Sequence, residues 1–125
     1  MPGTFKAWLS GDTTDALSRI RDVGPWYRVD NVKIFDNKAG LAGVPLAPPY
    51  KDENGDYVGY HGYYVWTGAL NGGTKDSSTC EGWTTSGANR ATTVGMVDNL
   101  NVTWWTDVGY GDLCAGSNHL YCLQQ

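Results

Sequence analysis

"CEGWTTSGANRATTVGMVDNLNVTWWTDVGYGDLC" runs from Cys80 to Cys114, and its reading decides the fold. It lies inside a longer polar reach, Thr67 to Asn118, rich in Gly, Ser, Thr, Asn and Asp. Few alternating runs interrupt that reach, so it reads as loop. About fifty residues of loop are too many for a compact domain unless they are functional or stapled. The cysteines it contains make stapling the natural inference. The chain has 3 cysteines, so one must stay without an internal partner. No C-x-x-C or H-x-x-x-H spacing suggests zinc. The alternative is three reduced thiols.

Outside this reach the periodicity is clearer. "TFKAWLS" (Thr4–Ser10) alternates, with Phe5, Ala7 and Leu9 on one face and Lys6, Trp8 and Ser10 on the other. "GDTTDALSRIRDVGP" reads as one short helix. Asp12 or Thr13 is its cap, Ala16, Leu17, Ile20 and Val23 its apolar stripe, and Gly24-Pro25 its stop. "WYRVDNVKIF" reads as two strands about an Asp30-Asn31 turn. Asp36 can cap one or two weak helical turns, and Asn54-Gly55 marks a hairpin. Tyr63 to Trp66 is the best strand candidate, and "HLYCL" returns to strand near the end.

The 125 residues fit a single domain, 1–125. No 18-residue apolar run is present, so no membrane insertion is expected. An exported form would have had its leader cut or omitted. A net charge of -4 without a basic block argues against a nucleic-acid partner. There are 17 glycines, and the aromatic set is 6 Trp and 8 Tyr against 2 Phe. Trp and Tyr combine an apolar body with a polar handle, which suits binding surfaces, although for any one ring the core is the commoner place.

"GTFKAWLS" with its short helix, then "VWTG", "CEGW", a polar stretch, a second cysteine and "LYC" resembles a family of bacterial secreted or lipid-anchored surface domains. These have a C-type-lectin-like fold and are related to endostatin, the C-terminal domain of collagens XV and XVIII. The resemblance spans Gly3 to Gln125. It implies an α+β fold with a small twisted, mostly antiparallel sheet, one main helix and a long disulfide-stapled loop region. It also implies a Cys80–Cys114 bridge, worth roughly 3–4 kcal/mol by chain entropy. In that family the cysteine matching Cys122 pairs with one upstream of the matched start, in a helix that the resemblance leads us to expect missing here. Cys122 is thus expected as a free thiol. We expect it to be buried, since it alternates in phase with Leu120. An apolar groove beside the last strand, inviting a homo-oligomer, is the corresponding expectation.

Catalysis has little support. His61 and His119 stand in different elements and in no nucleophile motif. "DENGD" places Asp52, Asn54 and Asp56 like the start of a calcium loop, but Tyr57 follows where glycine belongs, so the hairpin turn is preferred. A second oxygen-rich cluster leaves calcium open at Asp98, Asp107 and Asp112; no other cofactor is assigned. The Glu-Pro-Asn type motif of sugar-binding C-type lectins is absent, and Trp105 to Asp107 is a partial echo of their Trp-Asn-Asp. Trp104 and Trp105 point opposite ways if the chain is extended. By resemblance Trp105 is the packed tryptophan, which leaves Trp104 as an exposed platform. Tyr110 can join it, with Asn99, Asn101 and Asp107 as hydrogen-bonding neighbours. Trp66 and Trp83 are expected to pack under the loop. Asn101-Val102-Thr103 is a glycosylation sequon, meaningful only in a host that modifies it. The expected role is extracellular recognition of a glycan or a surface protein by a secreted or cell-surface domain. Self-assembly through the groove is the alternative, and a hydrolase has the lowest weight.

Overall fold

The computed structural model describes residues 3–58, 64–97 and 104–125. The elements in order are β1 (Phe5–Ala7), a single helical turn α1 (Ala16–Arg19), β2 (Trp26–Tyr27), β3 (Lys33–Phe35), β4 (Tyr64–Trp66), a second helical turn α2 (Cys80–Trp83), β5 (Ala91–Met96), β6 (Gly111–Leu113) and β7 (Cys122–Gln124). Short 3-10 turns occupy Lys38–Ala42 and Asn71–Gly73. The strands form three small antiparallel sheets: β1 with β7, β2 with β3, and β4-β5-β6 with β5 in the middle. The architecture is α+β, with short elements and much irregular chain.

The expected helix is reduced to one turn. Tertiary partners take the groups that would have extended it. Asp15 is the N-cap but makes no side-chain cap bond; its carboxylate accepts from Lys75 N–H at 2.8 Å instead. Asp12 faces the Thr79 hydroxyl. The Arg19 guanidinium donates to the Leu9 carbonyl at 2.8 Å. Ile20 is already extended, and Val23, expected on the apolar stripe, is exposed. The strand expected over Thr4–Ser10 shortens to β1, and the buried pair, Trp8 and Ser10, lies just after it.

The principal correction concerns the polar reach. Ala91–Met96 is not loop: it is the longest strand and the centre of the three-stranded sheet. Thr92, Thr93 and Val94 are all buried there. β-branched side chains suit a pleated, covered surface even when two carry hydroxyls. Gly95 allows β4, β5 and the 104–106 segment to meet, because a Cβ there would run into the Trp105 carbonyl.

The staple is present as Cys80–Cys114, with Cα atoms 5.8 Å apart. Around it Cys80, Glu81, Gly82 and Trp83 all have positive φ, from 54° to 67°. Left-handed backbone costs roughly 1–2 kcal/mol for each residue with a Cβ, so its surroundings must hold this turn. Thr79 Oγ1 accepts from Gly82 N–H, and the Trp83 indole donates to the Ser10 carbonyl at 2.7 Å. The Trp83 ring stands edge-on to Trp66, centroids 5.9 Å apart.

The main core gathers Trp8, Ile20, Trp26, Phe35, Leu41, Trp105 and Leu123. Leu123 is the inward residue of β7, so its neighbour Cys122 points out and is exposed. Leu120 is exposed as well. The expected phase of the alternation holds, but the face carrying Cys122 is the solvent face. The Asn31 and Gly55 turns form as expected, both with positive φ. The turn cap before Lys38 is Asn37, not Asp36.

Candidate functional site

β5 contributes to the lining of a shallow, open pocket of about 290 Å³. Thr92 and Thr93 of β5 line it together with Leu70, Asp76, Asp107 and Tyr110. Two of the residues expected to bind ligand, Asp107 and Tyr110, are therefore brought together.

Asp76 is the best-anchored group. One carboxylate oxygen accepts from Thr93 N–H at 3.2 Å and from the Thr93 hydroxyl at 2.7 Å. The other accepts from Ser77 N–H at 2.6 Å and the Ser77 hydroxyl at 3.3 Å. Burial pushes its pKa up, but the Thr93 hydroxyl and the neighbouring N–H donors outweigh this and hold it below the ordinary value. Asp107, also lining the pocket, accepts from Gly109 N–H at 2.8 Å. Neither carboxylate forms an ion pair among the described residues.

Tyr110 is 54% exposed. Its hydroxyl lies 2.5 Å from that of Tyr64, with the rings edge-on and centroids 6.0 Å apart. The pocket thus offers an aromatic ring, an apolar Leu70 side chain and two anionic acceptors. Such a set accepts hydrogen bonds from hydroxyl or N–H donors and stacks C–H faces.

The other expected residues fall elsewhere. Trp105 is buried in the core and its indole donates to the Gly43 carbonyl at 2.9 Å. Trp104 is 37% exposed but does not line the pocket. Asp112 accepts from Leu113 N–H and from the Asn118 amide, each at 2.8 Å. It fixes the turn after β6. Asp98, Asn99, Asn101 and His61 lie outside the described residues. His119 is exposed, and its carbonyl accepts from Trp66 N–H at 2.9 Å. No group of three or more His, Cys, Asp or Glu side chains that could hold a metal ion occurs among the described residues. Asp52 accepts from Asn54 N–H and Asp56 N–H, each at 2.9 Å, which closes the hairpin turn.

Sequence reasoning missed Asp76. The Asp-Ser-Ser-Thr stretch signals a side-chain-bonded turn, but only recognition of Ala91–Met96 as a strand would have placed that turn against Thr93. Among the described residues no helix is long and apolar enough to cross a membrane. The chain matches no protein-family model, and no curated protein matches it in sequence.

Proposed function

We propose that this is an extracellular recognition domain with a C-type-lectin-like fold of the endostatin-related kind, and that it binds a glycan in the pocket over β5. The carrying observation is the convergence of Tyr110, Asp76 and Asp107 on one open concavity. A sugar presents hydroxyl donors at its rim and C–H groups on its face. Carboxylates fixed by Thr93, Ser77 and Gly109 meet the first; the tyrosine ring meets the second. A bridge at Cys80–Cys114 and a packed Trp105 are features the family resemblance implies. A disulfide in a small domain also suits a secreted or cell-surface site.

A glycan array with the intact chain tests the reading. Binding is expected, and Tyr110→Ala or Asp107→Ala should abolish it with little change in melting temperature. Binding that survives both substitutions would place the ligand elsewhere. Binding only to surface proteins would replace the glycan. Running the array with and without chelator decides whether calcium takes part.

A second reading, self-assembly, is favoured by the exposure of both Leu120 and Cys122 beside the terminal strand pair. It requires a solution mass that is a multiple of the chain mass and that falls on Leu120→Asp.

A further inference from the structure

Among the described residues two tyrosine pairs meet edge-on. Tyr50 and Tyr57 have centroids 5.2 Å apart, and Tyr64 and Tyr110 have centroids 6.0 Å apart. Their electrostatic settings differ. The Arg28 guanidinium sits 4.5 Å over the Tyr50 ring, and the Lys51 ammonium 5.9 Å from the same centroid. Positive charge against a ring opposes removal of an electron from it. No cation-π contact is made to Tyr64 or Tyr110 among the described residues, and their hydroxyl oxygens touch at 2.5 Å.

We propose that Tyr64 and Tyr110 form a site of oxidative cross-linking, in which a one-electron oxidant of the peroxidase–hydrogen peroxide class couples the two rings into a dityrosine. Each phenol loses one electron and one proton. The contact between the hydroxyls assists the first loss, since one oxygen accepts the hydrogen bond of the other. In a phenoxyl radical the unpaired electron is shared between the oxygen and the ring carbons ortho to it. With the oxygens in contact and the ring centroids 6.0 Å apart, the carbons ortho to the two hydroxyls belong to neighbouring ring edges. The two carbons then form a C–C bond, and the hydrogens they carried move to the oxygens as both rings regain aromaticity. In balance, two tyrosines and one hydrogen peroxide give one dityrosine and two waters. Proximity favours this internal coupling over collision between molecules. Tyr110 is open to the oxidant, while Tyr64 is half-buried.

The topology gives the bond a consequence. Tyr64 begins β4 and Tyr110 precedes β6, and these strands flank β5 on opposite sides. A bond between the rings would tie the outer strands together over the middle one and pin Tyr110 at the pocket wall. The chemistry does not depend on what the pocket binds.

The test is treatment of the dilute intact chain with peroxidase and hydrogen peroxide. A monomeric product lighter by two hydrogen atoms is expected, with the blue fluorescence of dityrosine. Fragmentation of the digest should assign the bond to Tyr64 and Tyr110. Tyr64→Phe and Tyr110→Phe should each abolish it, and Tyr57→Phe should leave it unchanged; circular dichroism shows that each variant is folded. Absence of an internal cross-link in the folded parent, assignment to another pair, or persistence in Tyr110→Phe would each overturn the proposal.

Discussion

Around Trp105 the protein buries rings: Trp8, Phe35 and Tyr121 have centroids 4.8, 4.9 and 5.5 Å from it. Around β5 it buries hydroxyls. Thr67 donates to the Thr106 carbonyl at 2.6 Å, Thr92 to the Ser78 carbonyl at 2.6 Å, and Thr93 to Asp76 at 2.7 Å. The two kinds of interior differ in what they return. Burying one large ring removes enough apolar area for about 4–6 kcal/mol. A satisfied buried hydroxyl contributes roughly 1 kcal/mol net, and leaving it unsatisfied costs more than that. An interior of this second kind defines a shape through directional bonds but yields less stability. The disulfide belongs to that half, and so does the left-handed turn that needs holding. The halves are joined where Trp8 Nε1 donates to Thr106 Oγ1 at 2.8 Å.

The largest effect should come from removing the ring shared by the whole aromatic half. Trp105→Ala is expected to cost roughly 3–5 kcal/mol, measured by urea denaturation, with a single transition for both halves. A loss below about 1 kcal/mol would mean that the aromatic cluster is not the dominant core.

Next comes the staple. Cys80→Ser with Cys114→Ser should cost about 4 kcal/mol in the chain-entropy account of a loop of this length. The loss should be uneven. Amide hydrogen exchange should accelerate in β5 and β6 well before it does in β1 and β7, because only the former lie within the closed loop. Uniform acceleration would erase the distinction between the halves.

That same distinction explains what the sequence made legible. Short strands at Phe5–Ala7 and Tyr64–Trp66 and the turns at Asn31 and Gly55 were readable because hydrophobic alternation and turn residues are local signals. The Ala91–Met96 strand was not, because Thr-Thr-Val-Gly carries β-branching without the apolar contrast that reveals a face. Its hydroxyls become interior only once Asp76 and Ser78 arrive from a distant segment. The helix from Asp12 onward failed for the opposite reason: a good local pattern lost to tertiary partners for Asp15 and Arg19. At the site, Asp107 and Tyr110 were visible as polar and aromatic loop residues. Asp76 needed the unseen strand.

A smaller effect isolates the polar half by pH. The depressed folded-state pKa of Asp76 means that its ionised form is favoured by folding. Its contribution is therefore complete above the ordinary value of 3.8 and disappears as pH falls through the lower folded value. Asp76→Asn should cost about 1 kcal/mol at pH 7, reduced from a buried charge's worth by solvent screening. The difference from the parent should vanish at pH values below the folded pKa. A gap that stays constant into acid would show that Thr93 and Ser77 do not favour the ionised carboxylate.

The smallest effect belongs to the outward face of β7. Cys122→Ser should change stability by less than about 0.5 kcal/mol, since Leu123 and not Cys122 fills the core side of that strand. The thiol also has a kinetic signature. Although Cys122 lies on the exposed face, neighbouring atoms partly cover its thiol, and this covering, and then the nearby Glu53 carboxylate, push its pKa above the ordinary 9.0. Thiolate is the reactive form, so alkylation of the untreated protein should be slow at neutral pH, accelerate only in more alkaline solution and reach one thiol per chain. Glu53→Gln should speed it, because the neighbouring negative charge is gone while the strand is untouched. Rapid alkylation near neutrality would mean that Cys122 is free of both influences, and modification of more than one sulfur without reductant would mean that the Cys80–Cys114 staple is not closed.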